Sequence, residues 1–447
     1  MSMAPPVYRG AFGKPQAERL LWRAGFGPRP GEAERLAKLG LHKAVHSLTH
    51  PGRERLKGPK PHDDNGHPLA PYDAWGHDQL WWLDRMIRTR RPLVERMALV
   101  WHDWFATSRE GVDSARLMLK QNGLLRKQGL GSFMTLATEV TRDPAMLLWL
   151  SGTDNSKDSP NENYGRELME LFTLGADRGA YTEHDVREQA RALTGWRNDW
   201  NDNVGPVNFR FDPEYHDGGV KTIFGKRGRF DWHDSARLCV QHRLHPSFFV
   251  TKLWSYFVPT KPPAATQRAL QRLYVSSGYE IRPVVEAILR HPALYTGPRM
   301  VKSPVVYTAG LLRALKRGID GEEWTWLMSL AGQQLFYPPN VAGWDDSRWL
   351  DTATFRARWM IASYAIRPHT LDSDKARLPD DAAKLLRRAE TFLGEPAVSG
   401  RTLAELKRFS RRALANATEE WKKEQYPALI ENALRQLLAS SPDLQTS

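Results

Sequence analysis

Three groups of polar residues in this 447-residue chain have the types and spacing that acid–base or binding chemistry requires. The densest runs Asn161-Glu162-Asn163-Tyr164-Gly165-Arg166-Glu167-Leu168-Met169-Glu170 and on to Leu174-Gly175. At about 100° per residue, Glu162, Arg166 and Glu170 fall on one helical face with Asn163 and Glu167 beside them, opposite an apolar stripe of Tyr164, Leu168, Leu171 and Phe172. Such a face can wall a cleft: Glu162, Glu167 or Glu170 would supply a general base, while Arg166, flanked by Asn161 and Asn163, would hold an anionic group. The same spacing also makes a solvated row of i,i+4 ion pairs.

The second group is Glu95-Arg96-Met97-Ala98-Leu99-Val100-Trp101-His102-Asp103-Trp104-Phe105. Met97, Val100, Trp101 and Trp104 form its apolar face, and Glu95 and His102 point together on another side. His102 is a candidate general acid or base, or one ligand of a metal; the alternative is a hydrogen-bonded packing residue. The third group is His216-Asp217-Gly218-Gly219-Val220-Lys221, where a double-glycine turn can close over a substrate and Lys221 offers positive charge. Asp-Gly-Gly is equally good turn chemistry.

Several other chemistries are excluded. No His-Glu-x-x-His spacing exists, so there is no zincin site. Asp154-Asn155-Ser156-Lys157-Asp158 fails as a calcium loop, because Ser159 stands at the glycine position and Gly165 at the terminal glutamate position. Phosphate-loop, dinucleotide, nucleophile-elbow and kinase patterns are missing. Cys239 is the single cysteine, which excludes an intrachain disulfide, a four-thiolate zinc site and a thiolate-held iron–sulfur cluster. The residues name neither a metal nor a cofactor.

The elements that must carry these groups are mostly helices. Periodicity and caps predict helices over 77–89, 92–107, 114–127 and 132–140, with another after Asp143-Pro144, where Asp caps and Pro suits the first turn. Ser159-Pro160-Asn161-Glu162 reads as a capping box opening the signature helix, and Thr182 to Asp185 as a second cap signal. His184, Glu188 and Arg191 share a face and read as an ion-pair row. Val207 to Phe211 alternates, His216 to Gly219 is a turn and Lys221 to Gly225 resembles a second strand, so a β-hairpin is expected at about 205–228. After Arg367 aromatics thin out, and amphipathic helices are expected over 403–416 and 419–440. The expected fold is mainly α: a multi-helix globular domain over 1–366 with the inserted hairpin, and a helical C-terminal appendage over 367–447.

The net charge of +13 invites a polyanion as partner, nucleic acid included. Its distribution argues against a uniform nucleic-acid stripe: residues 1–60 carry +8, whereas residues 139–190, which hold the signature, carry −6. No run approaches the roughly 20 apolar residues of a membrane span. Met1 to Phe12 has no apolar signal core and no paired arginines, so the expected location is the cytoplasm.

The signature, continued by Tyr181-Thr182-Glu183, Asp185-Val186-Arg187-Glu188 and Ala190-Arg191-Ala192-Leu193-Thr194-Gly195-Trp196, resembles that of the bacterial domain-of-unknown-function family DUF1800. Leu20-Leu21-Trp22-Arg23-Ala24-Gly25-Phe26-Gly27, Trp101-His102, His216-Asp217 with Lys221, Lys252-Leu253-Trp254 and Pro338-Pro339-Asn340-Val341-Ala342-Gly343-Trp344 extend the resemblance over residues 15–365. Many members look exported, and their genes often neighbour those of a sulfatase-like family, which implies work on envelope or extracellular polymers. This chain lacks an export signal and carries Trp104 where many relatives have a second histidine. The motif positions carried over are Glu95, His102, Asp103, Asn161, Glu162, Asn163, Arg166, Glu167, Glu170, Asp185, Glu188, Arg191, His216, Asp217 and Lys221.

Two readings of function follow. In one, the three groups converge on a polar cleft of a hydrolase or transferase acting on an anionic polymer or glycan. In the other, the motif is a structural ion-pair network in a binding or assembly protein whose basic part docks a polyanion.

Overall fold

The computed structural model describes residues 4–447. It is mainly α, 57% helical, with two small antiparallel two-stranded sheets among the described residues. The chain forms two compact units, one made of Val94–His291 with Phe336–Trp344 and, at the N-terminus, residues 4–7, the other of Tyr8–Leu93, Pro292–Leu335 and Asp345–Ser447. No described helix is long and apolar enough to cross a membrane.

In the first unit local chemistry sets the helix starts. Ser114 caps Ala115–Gln128, Ser132 caps Phe133–Thr141, and Asp143 accepts from Met146 N at 3.1 Å to open Pro144–Trp149. These helices enclose an aromatic core: Phe133 lies 4.8 Å from Phe249 and 5.8 Å from both Trp101 and Trp104, and Phe105 lies 5.1 Å from Phe172. The face Met97, Val100, Trp101 and Trp104 is buried, as its period requires.

The β segment pairs differently from expectation. Val207–Phe211 does not meet Lys221–Gly225; Gly205–Phe211 pairs with Trp196–Asn201, and Lys221–Ile223 pairs with Lys226–Gly228. Turn geometry explains the change. Phe224 and Gly225 both hold positive φ (50° and 73°), the two-residue turn that closes a tight hairpin, so Lys221–Ile223 finds its partner immediately. His216–Gly219 lies in the link between the two sheets.

In the second unit, Ala382–Phe392, Gly400–Ala415 and Glu420–Ala439 pack on one another. Glu431 ties the first to the third, accepting from Arg388 at 2.6 Å and from Arg435 of its own helix at 2.5 Å. The last residues run beside 300–302, with Lys302 N donating to Gln445 O and Ser447 N to Met300 O, both at 2.9 Å. Tyr307 donates to Ala439 O at 3.1 Å.

Candidate functional site

The signature helix starts later than its cap signal implies. Asn155 Oδ1 accepts from Asn161 N at 2.8 Å, and Asn161 Oδ1 accepts from Asn163 N at 2.9 Å. The helix therefore opens at Asn163, and Glu162 makes no cap bond. Its carboxylate instead meets Arg166 at 2.9 Å, and Arg166 meets Glu183 at 2.8 Å through both oxygens. This bridge faces solvent, with Glu183 64% exposed, so water and salt screen it.

Past Glu167 the winding changes. Leu168–Thr173 is a π-helical turn, with Leu174 N donating to Met169 O at 2.8 Å. Five-residue closure advances less angle per residue than the α-helix does, so Glu170 does not keep α-helical phase with Glu162 and Arg166. Tyr181 donates to Glu170 at 3.2 Å, and Glu167 lies half-buried beside them. Burial first, then the Glu170 carboxylate, pushes the Glu167 carboxyl above its ordinary value.

The end of this turn is finished by side chains from elsewhere. Lys252 Nζ donates to Leu171 O at 3.0 Å, Trp104 Nε1 to Phe172 O at 3.0 Å, His245 Nδ1 to Thr173 O at 2.8 Å, and Arg178 to Leu174 O at 2.6 Å. Because a carbonyl only accepts, His245 carries its proton on Nδ1, which leaves Nε2 to accept from Tyr274 at 2.9 Å. Two of the four donors are cations at the negative end of a helix.

Lys252 and Arg178 also line a cavity of about 530 Å³ in this unit, with Ser247, Phe248, Thr251, Trp254, Lys261 and Gln267. The Lys252 ammonium stands 4.6 Å over the Trp104 ring and 5.8 Å from that of Phe248. Burial pulls its pKa down to about 8, against a smaller upward pull from Asp103. Arg178 additionally donates to Ser247 Oγ at 2.5 Å. Among the described residues, no carboxylate lines this cavity.

His102 occupies a different environment. It is buried, with the rings of Phe336 and Trp344 each 5.5 Å away. The neighbouring Asp103 accepts from Tyr256 at 2.7 Å and from Trp344 N at 2.8 Å, so the Pro338–Trp344 motif is a clasp on this helix. Glu95 is fully buried against Arg126, accepting from Nε at 2.6 Å and Nη2 at 3.0 Å.

Burial holds the His102 imidazole down at about 3. The folded chain keeps it neutral, while the unfolded chain protonates it near the ordinary value of about 6.5. Between these values unfolding takes up a proton, so stability falls as pH drops from about 6.5 toward 3, by about 1.4 kcal/mol per pH unit for this group. Chemical denaturation at a series of pH values should show that slope, and His102→Phe should flatten it. An unchanged slope in the variant would remove His102 as its source.

The His216–Lys221 turn is fastened to the helix Glu183–Ala192. Asp217 meets Arg191 at 2.6 Å, Arg191 meets Glu188 at 2.8 Å, and Glu188 accepts from Thr222 N at 2.7 Å. Asp185 accepts from Phe224 N at 2.7 Å. His216 Nδ1 donates to Thr194 O at 2.9 Å. The buried Lys221 ammonium donates to the carbonyls of Asp217 and, at 3.1 Å, Gly219.

Thus Glu162 and Arg166, behind Asn161 and Asn163, share a solvent-facing end; Glu167 and Glu170 lie together; His216, Asp217 and Lys221 form a turn anchor; His102 sits among aromatic rings. Sequence reasoning did not select Lys252 and Arg178 as site residues. Lys252-Leu253-Trp254 carried a signal only through the family resemblance, and Arg178 carried none.

Residues 19–446 match the model of a family described as a protein of unknown function, DUF1800. No curated protein and no solved structure matches the chain.

Proposed function

The chain belongs to the DUF1800 family, and from that premise we propose that its Val94–His291 unit binds an anionic, glycan-type ligand in the cavity walled by Lys252 and Arg178. One observation carries this reading: three cations, Arg178, Lys252 and Lys261, with hydroxyl and indole groups beside them, line a space of about 530 Å³ without an opposing carboxylate. A sugar ring has the polar edge and the apolar face that such a lining complements. The signature's Glu162–Arg166–Glu183 and Glu188–Arg191–Asp217 bridges then serve the frame around the cavity.

Calorimetric titration with galacturonate oligomers and matching neutral oligomers tests it. Wild-type protein should bind the acidic oligomers, and Arg178→Ala should weaken binding about 10-fold, or ~1.4 kcal/mol. Equal affinity for neutral and acidic oligomers, or no effect of Arg178→Ala, would overturn the reading.

A specific observation also favours a hydrolase or transferase. Glu167, its carboxyl pushed above the ordinary value by burial and by the Glu170 carboxylate, lies beside Glu170, and two neighbouring carboxyl groups held in different environments are the pairing used in glycoside cleavage. Neither carboxyl lines the Lys252 cavity, so on that reading the pair is a separate site, and Glu167→Gln lowers hydrolysis of an acidic oligomer at least 100-fold while leaving oligomer binding at Arg178 unchanged. Turnover persisting in the variant would leave binding alone.

A further inference from the structure

The cavity holds an amine as well as a charge. Lys252 Nζ is fixed from behind by Leu171 O at 3.0 Å and flanked by the Trp104 ring, which aims it rather than leaving it to swing in solvent. Arg178, held by Leu174 O and Ser247 Oγ, lines the same cavity, where it can anchor an anionic group. A ligand seated by its anion therefore presents the rest of its body to a positioned amine, and proximity of this kind replaces a bimolecular encounter.

Resting on the anion-binding reading above, we propose that Lys252 is a nucleophile that forms an imine with an aldehyde or keto group of an anionic ligand. Nζ adds to the carbonyl carbon to give a carbinolamine, a proton passes from nitrogen to oxygen, and the C–O bond breaks with release of water. Overall, ammonium and carbonyl become protonated imine and water, with no net gain or loss of protons and no oxidant or reductant. The positive charge stays on nitrogen, so it keeps its place beside Leu171 O and Trp104. Burial supports the first step, since a lysine pulled down to about 8 is partly neutral at physiological pH. Ligands of this class are oxo acids, phosphorylated aldoses and the open-chain reducing ends of acidic sugars.

Pyridoxal 5′-phosphate, an aldehyde with a phosphate, serves as the probe. The full chain is incubated with it at pH 8, reduced with sodium borohydride and mapped by peptide mass spectrometry; binding is followed in parallel by quenching of tryptophan fluorescence. Lys252 should be labelled at least 10-fold faster than any other lysine, inorganic phosphate should protect it, and Arg178→Ala should slow its labelling about 10-fold. Lys252→Arg keeps a cation for Leu171 O and should bind the probe without an adduct at that position. Phosphate-sensitive binding without preferential labelling of Lys252 would overturn the imine and leave the anion site standing. Absence of phosphate-sensitive binding would overturn both.

Discussion

Glu95→Ala should cost about 3–5 kcal/mol of folding stability, a large share of the roughly 5–15 kcal/mol that a folded domain has in total. The Glu95 carboxylate is fully buried and takes two bonds from Arg126, whose guanidinium also donates to Asn122 O at 3.3 Å and to its side chain. Truncation leaves that guanidinium inside the protein without its counter-charge, and desolvation cannot be recovered. Replacing both partners by apolar residues, Glu95→Leu with Arg126→Met, should restore most of the loss, because no charge then remains to be hydrated. Guanidinium chloride unfolding of the single and double variants measures both effects. A single variant within 1 kcal/mol of wild type would refute the pair's importance.

Gly343→Ala should be nearly as damaging, by about 3 kcal/mol. Gly343 holds φ +96°, which alanine adopts only with strain. An added Cβ there would lie 2.4 Å from Asp103 Oδ1 and 2.8 Å from Asp103 O. The clash strikes the carboxylate that accepts from Tyr256 and Trp344 N, so the clasp on the Pro92–Trp104 helix opens. Gly218→Ala is the control: nothing stands within 4 Å of its Cβ position, and its stability should match wild type within about 0.5 kcal/mol. Denaturant midpoints of the two variants, compared directly, decide the matter; equal midpoints would show that neither φ nor the Asp103 contact constrains residue 343.

Legibility followed the range of the forces involved. Ser114, Ser132 and Asp143 were readable as caps because a cap is made within three residues. The buried stripe of Met97, Val100, Trp101 and Trp104 was readable because its period is geometric. The hairpin's pairing was not: the decisive fact is the φ of Phe224, a residue type that gives no hint of a left-handed turn. Glu95 was aligned with His102 by helical period, yet its charge is met by Arg126, 31 residues on. The signature's face was drawn at α-helical pitch and lost validity at Leu168, where the winding changes. Lys252 reaches Leu171 across 81 residues, a distance no local pattern spans.

The π-helical turn at Leu168–Thr173 also makes residue count matter more than residue type. Its carbonyls from Leu171 to Leu174 are met by donors from the Pro92–Trp104 helix, the His245–Ser255 helix and Arg178. Inserting or deleting one residue there would swing those carbonyls through most of a quarter turn, away from four donors together. The spacing between Glu167 and Gly175 is thus a fixed ruler in the chain, one that tolerates new letters far better than a new length.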